Sequence, residues 1–152
     1  MQKTPIARHL AIAIALALAS TASLAETPDE AIAARKQALK HIKQTLNDIL
    51  KPMMSGAKPF DKTIFEQQAM ELAQQAKQPW PHFIAGSDKG KTEAKAEVWS
   101  KPADFKAAAD KLEASTQALA DTAKSGDPAL IKPAFAAVGQ SCKACHDNFK
   151  RD

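Results

Sequence analysis

The sequence predicts an all-α fold, an antiparallel up-down-up-down bundle of four helices. Residues that favour helices, such as alanine, lysine, glutamate and leucine, dominate the composition, while tyrosine is absent. Apolar residues recur at steps of three and four along most of the chain, which is the spacing of one helix face. Proline and glycine interrupt this pattern between stretches of similar length, so we expect helices joined by short connections.

The first 25 residues predict a secretory signal that precedes the fold. Lys3 and Arg8 form a basic start, an apolar run follows over residues 10–19, and small residues lead to a cleavage point after Ala25. The apolar run is too short to span a bilayer, although an uncleaved anchor helix is the alternative. We expect residues 26–152 to remain as one domain in the periplasm, off the membrane.

The first helix is expected over residues 28–51, with Asp29 and Glu30 near its positive end and with Pro52 and later Gly56 ending it. Its predicted apolar face consists of Ile32, Leu39, Ile42, Leu46 and Ile49. A second helix is predicted over residues 61–77, burying Ile64, Phe65, Ala69 and Leu72.

An irregular segment with Pro79-Trp80-Pro81 follows, and a short helical piece is predicted over residues 92–99. The third long helix spans residues 102–124, with Gly126 just past its end. The fourth starts at Pro128 or, because Pro133 is awkward inside a helix, nearer Ile131.

The fourth helix carries the most informative motif, Cys142-Lys143-Ala144-Cys145-His146. C-x-x-C-H attaches a c-type haem: each thiol adds to one vinyl group and the imidazole ligates the iron. On a helix the three side chains project from one face, so they can hold the porphyrin edge together. The chain has two cysteines, and one haem c would use both, leaving no structural disulfide.

A C-x-x-C pair also occurs in zinc sites, thiol redox sites and structural disulfides. Zinc needs two further ligands, and the sequence has no second C-x-x-C and no H-x-x-x-H. A thioredoxin-type site needs a βαβ context that this helical chain lacks. The prediction is therefore one haem c per chain.

Charge argues against a nucleic-acid partner. The whole chain carries +4, and Lys3 and Arg8 contribute two of these charges before the signal is removed. Acidic and basic residues are interspersed, without the basic, aromatic-rich stripe of nucleic-acid binders. Surface charge can still orient a redox partner protein.

The C-terminal residues resemble those of cytochrome c′, the class II c-type cytochromes, in which C-K-A-C-H-D lies on the last helix of an alanine-rich bundle. Ala34-Arg35 resembles the family's arginine near the haem propionates, and Thr92–Trp99 resembles its segment along the haem edge. The resemblance implies haem-pocket roles for Arg35, Lys36, Leu39, Leu46, Thr92, Glu93, Trp99, Phe149 and Lys150. Lys36 departs from the glutamine of many members, and Lys150 is alternatively a solvated lysine at the helix end.

Only six residues follow His146, so any second axial ligand of the iron must come from upstream. Leu39 matches the position where the related low-spin cytochrome c556 has a methionine ligand, and Leu46 matches the residue facing the open iron in cytochrome c′. Neither leucine can bind iron, so we expect His146 to be the only protein ligand. The alternative is a six-coordinate, c556-like electron carrier that uses Met53 or Met70.

A five-coordinate iron beneath an apolar pocket implies binding of nitric oxide and carbon monoxide, and the family is associated with electron transfer as well. A peroxidase would need polar distal acid–base groups, so we expect no enzymatic activity. The resemblance also implies a homodimer through the first two helices, for which Leu50 and Met54 are candidate contacts.

Overall fold

The computed structural model describes residues 25–151, and residues 1–24 of the predicted signal therefore lie outside the described residues. The chain first forms α1 (Pro28–Gln44), a π-helical turn (Thr45–Leu50) and α2 (Lys51–Met54), which follow one another without a break. The other long helices are α3 (Lys62–Gln75), α5 (Pro102–Ala123) and α6 (Pro128–Phe149). A 3-10 turn (Trp80–His82) and the short α4 (Glu97–Ser100) lie between α3 and α5.

These elements confirm the predicted four-helix fold, in which the first long helical unit is α1 together with the π-turn and α2. The described residues contain no strand, only an isolated antiparallel bridge between Ala94 and Lys150. None of the helices in the described range is long and apolar enough to cross a membrane.

The prediction that Pro52 ends the first helix is wrong, because the π-turn accommodates the proline. The N–H of Lys51 donates to the carbonyl of Leu46, five residues back, where an α-helix would bond four residues back. Pro52 then falls in the first turn of α2, the part of a helix that tolerates a proline best. The helix therefore continues to Met54.

The extra residue of the π-turn also rotates the buried face of the first helix. Ile42, before the turn, and Thr45, its first residue, are both buried. The next buried residue is Leu50, whereas Ile49 is only half-buried. An uninterrupted 3.6-residue period would have placed Ile49 inward. Leu50 is thus a core residue with no exposed surface, and its predicted role as a dimer contact is wrong.

Helix caps explain the other boundaries. The Thr27 hydroxyl accepts from the N–H of Glu30 while the Glu30 carboxylate accepts from the N–H of Thr27, a capping box at the start of α1. Asp127 caps α6 by accepting from the N–H of Ala129, which fixes the start at Pro128, the earlier of the two predicted positions. Pro133 lies inside α6.

Two clusters fill the bundle. Aliphatic residues with no exposed surface, including Leu72 of α3, Leu119 of α5 and Val138 of α6, form the hydrophobic core. Aromatic rings collect where α5 begins and α6 ends, with successive centroids 4.7–6.3 Å apart; they are Trp80, Phe83, Trp99, Phe105 and Phe149. The C-x-x-C-H motif lies at the aromatic end.

Candidate functional site

The motif occupies the last turns of α6, as predicted. Cys142 and Cys145 are half-buried free thiols, and Cys142 packs against the hydrophobic core. The side chain of His146 is exposed. The two thiols and the imidazole thus lie on consecutive turns of one helix, unbridged by a disulfide.

Burial sets the protonation of these groups. It raises the pKa of both thiols above the ordinary value, so they are neutral S–H groups near pH 7. Partial burial lowers the pKa of His146, and the charge of Lys150 lowers it further. The imidazole is therefore neutral near pH 7, which is the form that ligates a metal.

The two leucines of the first helix differ in packing. Leu39 is 37% exposed although its helix neighbours Arg35, Ala38 and Ile42 are all buried. Protein atoms therefore leave Leu39 uncovered on the inner side of α1. Leu46, by contrast, already packs against the hydrophobic core.

Neither Met53 nor Met70 has a position that indicates a ligand of the haem iron. Met53 is buried within the core cluster, beyond the π-turn. Met70 is 46% exposed on α3.

Arg35 is the most extensively bonded side chain of the region, and it is 2% exposed. Its Nη1 donates to the carbonyl of His82 (3.1 Å) and the hydroxyl of Ser87 (2.7 Å). Its Nη2 donates to the carbonyl of Ser87 (2.7 Å) and the hydroxyl of Thr92 (2.7 Å). The guanidinium carbon also lies 4.6 Å from the ring centroid of Phe83 and 5.5 Å from that of Trp99.

All four acceptors of Arg35 are neutral, and no carboxylate of the described residues lies within 4.0 Å of the guanidinium. A buried cation without a counter-charge is costly and attracts an anion. The indole Nε1 of Trp80 is likewise buried, and the described residues offer it no hydrogen-bond acceptor. The charge of Arg35 and the free N–H of Trp80 would both be compensated by a largely apolar group that carries carboxylates. Haem is such a group.

The remaining predicted pocket residues have the following contacts. Phe149 is buried and its ring centroid lies 5.3 Å from that of Phe105. Half-buried Trp99 donates through Nε1 to the carbonyl of Ile84 at 3.0 Å. Lys150 Nζ lies 3.3 Å from the carboxylate of Glu93. Lys36 is exposed and donates to the carbonyl of Lys91 at 3.3 Å.

Sequence analysis missed Ser87 and the carbonyl of His82 as partners of Arg35. Ser87 has no exposed surface and its hydroxyl also donates to the carbonyl of Ile84. The available signal was indirect: a buried arginine without an acidic partner must find neutral acceptors, and the irregular segment supplies them.

Comparisons with known proteins agree with this geometry. A model of the cytochrome c′ family matches residues 30–150. The cytochrome c′ of Rubrivivax gelatinosus is 40% identical over 126 residues, covering 82% of this chain and 97% of its own length. The structure of a cytochrome c′ from Shewanella frigidimarina is 44% identical, with a TM-score of 0.81, and covers 84% of this chain and 99% of its own.

Two further similar structures are variants of the cytochrome c′ of Alcaligenes xylosoxidans, one a nitric oxide complex and the other bound to carbon monoxide. Each is 28% identical with a TM-score of 0.78. They cover 83% of this chain and 97% and 98% of their own lengths. With a family match over most of the chain, the shared bundle and the C-x-x-C-H motif at the end of its last helix, this chain belongs to the cytochrome c′ family of covalent haem c proteins.

Proposed function

We propose that the chain is a gas-binding haem protein whose iron has one protein ligand, His146, and whose haem is attached through Cys142 and Cys145. The free thiols and the neutral imidazole on one helix face support these assignments. The haem would supply an iron that binds small diatomic molecules and exchanges one electron. Arg35 would compensate the haem carboxylates, since its charge has no other partner.

The observation that carries the proposal is the packing of Leu39. It is the uncovered aliphatic residue on the inner side of α1, so it is the better candidate to cover the distal face of the iron. Leu46, assigned to that place by resemblance, instead supports the core. An aliphatic cover offers no hydrogen-bond donor, so it favours nitric oxide and carbon monoxide over dioxygen, whose bound form needs polar stabilisation.

Electron transfer is the second candidate function, because the exposed ligand His146 indicates that the haem site lies close to the surface. The redox partner would be another protein. A catalytic role such as that of a peroxidase is not proposed, because Leu39 supplies no acid or base at the distal face.

We also propose export to the periplasm after cleavage at Ala25, which matches the requirement that haem c be attached outside the bacterial cytoplasm. A homodimer through the first two long helical units is proposed as well. Leu50 is buried and Met54 packs half-buried against the core. The apolar side chains left for such a contact are Ile64 and Met70, both exposed on α3. The prediction that the second helix buries Ile64 is wrong, because Ile64 is 47% exposed.

Optical and electron paramagnetic resonance spectra of the purified ferric holoprotein test the proposal. We expect a high-spin or mixed-spin signal without the near-infrared methionine–iron band, because neither Leu39 nor Leu46 can donate a lone pair. The ferrous protein should bind nitric oxide and carbon monoxide without holding dioxygen stably. A low-spin spectrum that changes on Met53→Ala or Met70→Ala would instead support the c556-like electron carrier.

A further inference from the structure

The end of the haem helix α6 is held by a short segment that precedes α4 in the chain. We define residues 92–95 as the strap. The N–H of Lys95 donates to the carbonyl of Phe149 at 2.9 Å, and the N–H of Arg151 donates to the carbonyl of Glu93 at 2.7 Å. This antiparallel pairing forms immediately after His146, in the segment where a helix normally frays.

The strap satisfies carbonyls that the end of α6 would otherwise leave unpaired. Lys95 does this twice, because its N–H bonds to the carbonyl of Phe149 and its Nζ to the carbonyl of Asp147 at 2.9 Å. Its positive charge also lies at the negative end of the helix dipole. Lys150 pairs with Ala94 of the strap. Its N–H donates the last hydrogen bond of α6 to the carbonyl of His146, the proposed iron ligand.

The strap is tied to α1 at its other end. The hydroxyl of Thr92 accepts from Nη2 of Arg35 at 2.7 Å and from the N–H of Ala94 at 3.1 Å. The carbonyl of Thr92 accepts from the guanidinium of Arg151 at 3.0 Å. Thr92 therefore joins the first helix to the residues that follow His146.

These contacts connect the helix that carries Leu39 to the helix that carries His146. Leu39 lies one helical turn after Arg35 on α1, and His146 lies one turn before Lys150 on α6. A chain of hydrogen bonds runs from Arg35 through Thr92 to Arg151, and from Lys95 to Phe149 and Asp147. The spacing between the proposed distal leucine and the proposed proximal histidine therefore depends on the strap.

We propose that Thr92 and Lys95 are positioning residues for His146, and that the strap sets the geometry of the iron–histidine bond. Neither side chain needs to touch the haem for this role. The inference rests on the proposed ligation by His146 and extends it to residues that act through the helix end.

The test uses two variants of the holoprotein. Thr92→Val removes the hydroxyl that bonds to Arg35, and Lys95→Met removes the side-chain bond to the carbonyl of Asp147. Thr92→Ser is the conservative variant that keeps the hydroxyl. Thr122→Val is the matched control, since the Thr122 hydroxyl bonds to the carbonyl of Ala118 within α5, away from the strap. Hydrogen exchange of the amides of residues 95 and 151 reports strap opening, and resonance Raman spectra of the ferrous protein report the iron–histidine stretching band.

We expect Thr92→Val and Lys95→Met to speed exchange at both amides about tenfold, which is the effect of losing one charge-assisted hydrogen bond. Both should shift or broaden the iron–histidine band, whereas Thr92→Ser and Thr122→Val should resemble the wild type. Faster exchange with an unmoved band, or unchanged exchange, would overturn the proposal. A wild-type protein without any iron–histidine band would instead refute the proposed five-coordinate iron with His146 as its one protein ligand, so the two failures are distinguishable.

Discussion

Leu39 and Leu46 are the same residue type on the same long helical unit, but their surroundings predict different effects when either is shortened. Leu39→Ala should speed carbon monoxide binding to the ferrous protein by about tenfold or more, because it removes the cover without adding a donor; tenfold corresponds to about 1.4 kcal/mol of barrier. Stopped-flow mixing measures the rate.

Leu46→Ala is the matched control for that experiment. It removes core packing, so it should lower the free energy of unfolding by roughly 2–3 kcal/mol and leave carbon monoxide binding almost unchanged. Leu39→Met should move the ferric spectrum towards low spin, because it supplies a sulfur ligand where the leucine was. Faster binding in Leu46→Ala than in Leu39→Ala would return the distal role to Leu46.

Residues whose chemistry depends on local spacing were predictable from the sequence. Cys142, Cys145 and His146 are three and four positions apart, and a helix places them on one face whatever surrounds it. The environment of Arg35 was not predictable in this way. Its acceptors lie 47 to 57 residues away, in an irregular segment whose conformation no periodicity encodes.

At the scale of the element, the capping box of α1 predicts a pH dependence. The hydroxyl of Thr27 is the largest cause of the lowered pKa of Glu30, and the N–H of Thr27 adds to it. A carboxyl whose pKa is lower in the folded state contributes stability above its ordinary value of 4.5, and this contribution is lost as the pH falls through the lowered pKa.

Glu30→Gln should therefore be less stable than wild type at pH 7, and the difference should disappear in acid, below that lowered pKa. Thermal melts of the holoprotein at both pH values measure this. Glu113→Gln, which changes a carboxylate in the interior of α5, is the control. A deficit of Glu30→Gln that persists unchanged in acid would show that the charge is not responsible.

The first helix also shows where periodicity fails as a predictor. Its apolar stripe was predicted to run through Leu46 to Ile49 on one face, but the π-turn adds a residue and Leu50 is buried in place of Ile49. A π-turn leaves no composition signal, and Pro52 was the one local clue that the hydrogen-bond register changes there. Pro52 was interpreted as the end of the first helix because a proline more often stops a helix than follows a π-turn.

At the scale of the whole molecule, haem attachment should be required for folding. The inner side of α1 has Leu39 uncovered and Arg35 without a counter-charge, so the bundle without haem keeps apolar surface and a buried cation uncompensated. The double variant Cys142→Ala/Cys145→Ala should lose cooperative melting and much of its far-ultraviolet circular dichroism. The single variant Cys145→Ala, which keeps one thioether, is the control. A helical, cooperatively melting haem-free chain would contradict the prediction.

Self-association is the second whole-molecule prediction. Sedimentation velocity at micromolar concentration should show a dimer, and Ile64→Lys or Met70→Lys should shift it to monomer because a charge would be buried in the contact. Leu130→Lys is the control, since Leu130 is 58% exposed on α6 rather than on the first two long helical units. A monomer in the unaltered protein would end this proposal.

The position of the haem motif at the end of α6 has a consequence for biogenesis. In an exported chain the residues of the other three long helical units emerge before Cys142 and Cys145, so most of the polypeptide must wait, unpaired with its cofactor, in an oxidising compartment. During that interval a disulfide between the two thiols would compete with attachment. Because the bundle is not expected to fold without haem, the fold itself cannot shield the two thiols during that interval. Cys142 and Cys145 must therefore be kept reduced from outside the chain until both thioether bonds have formed.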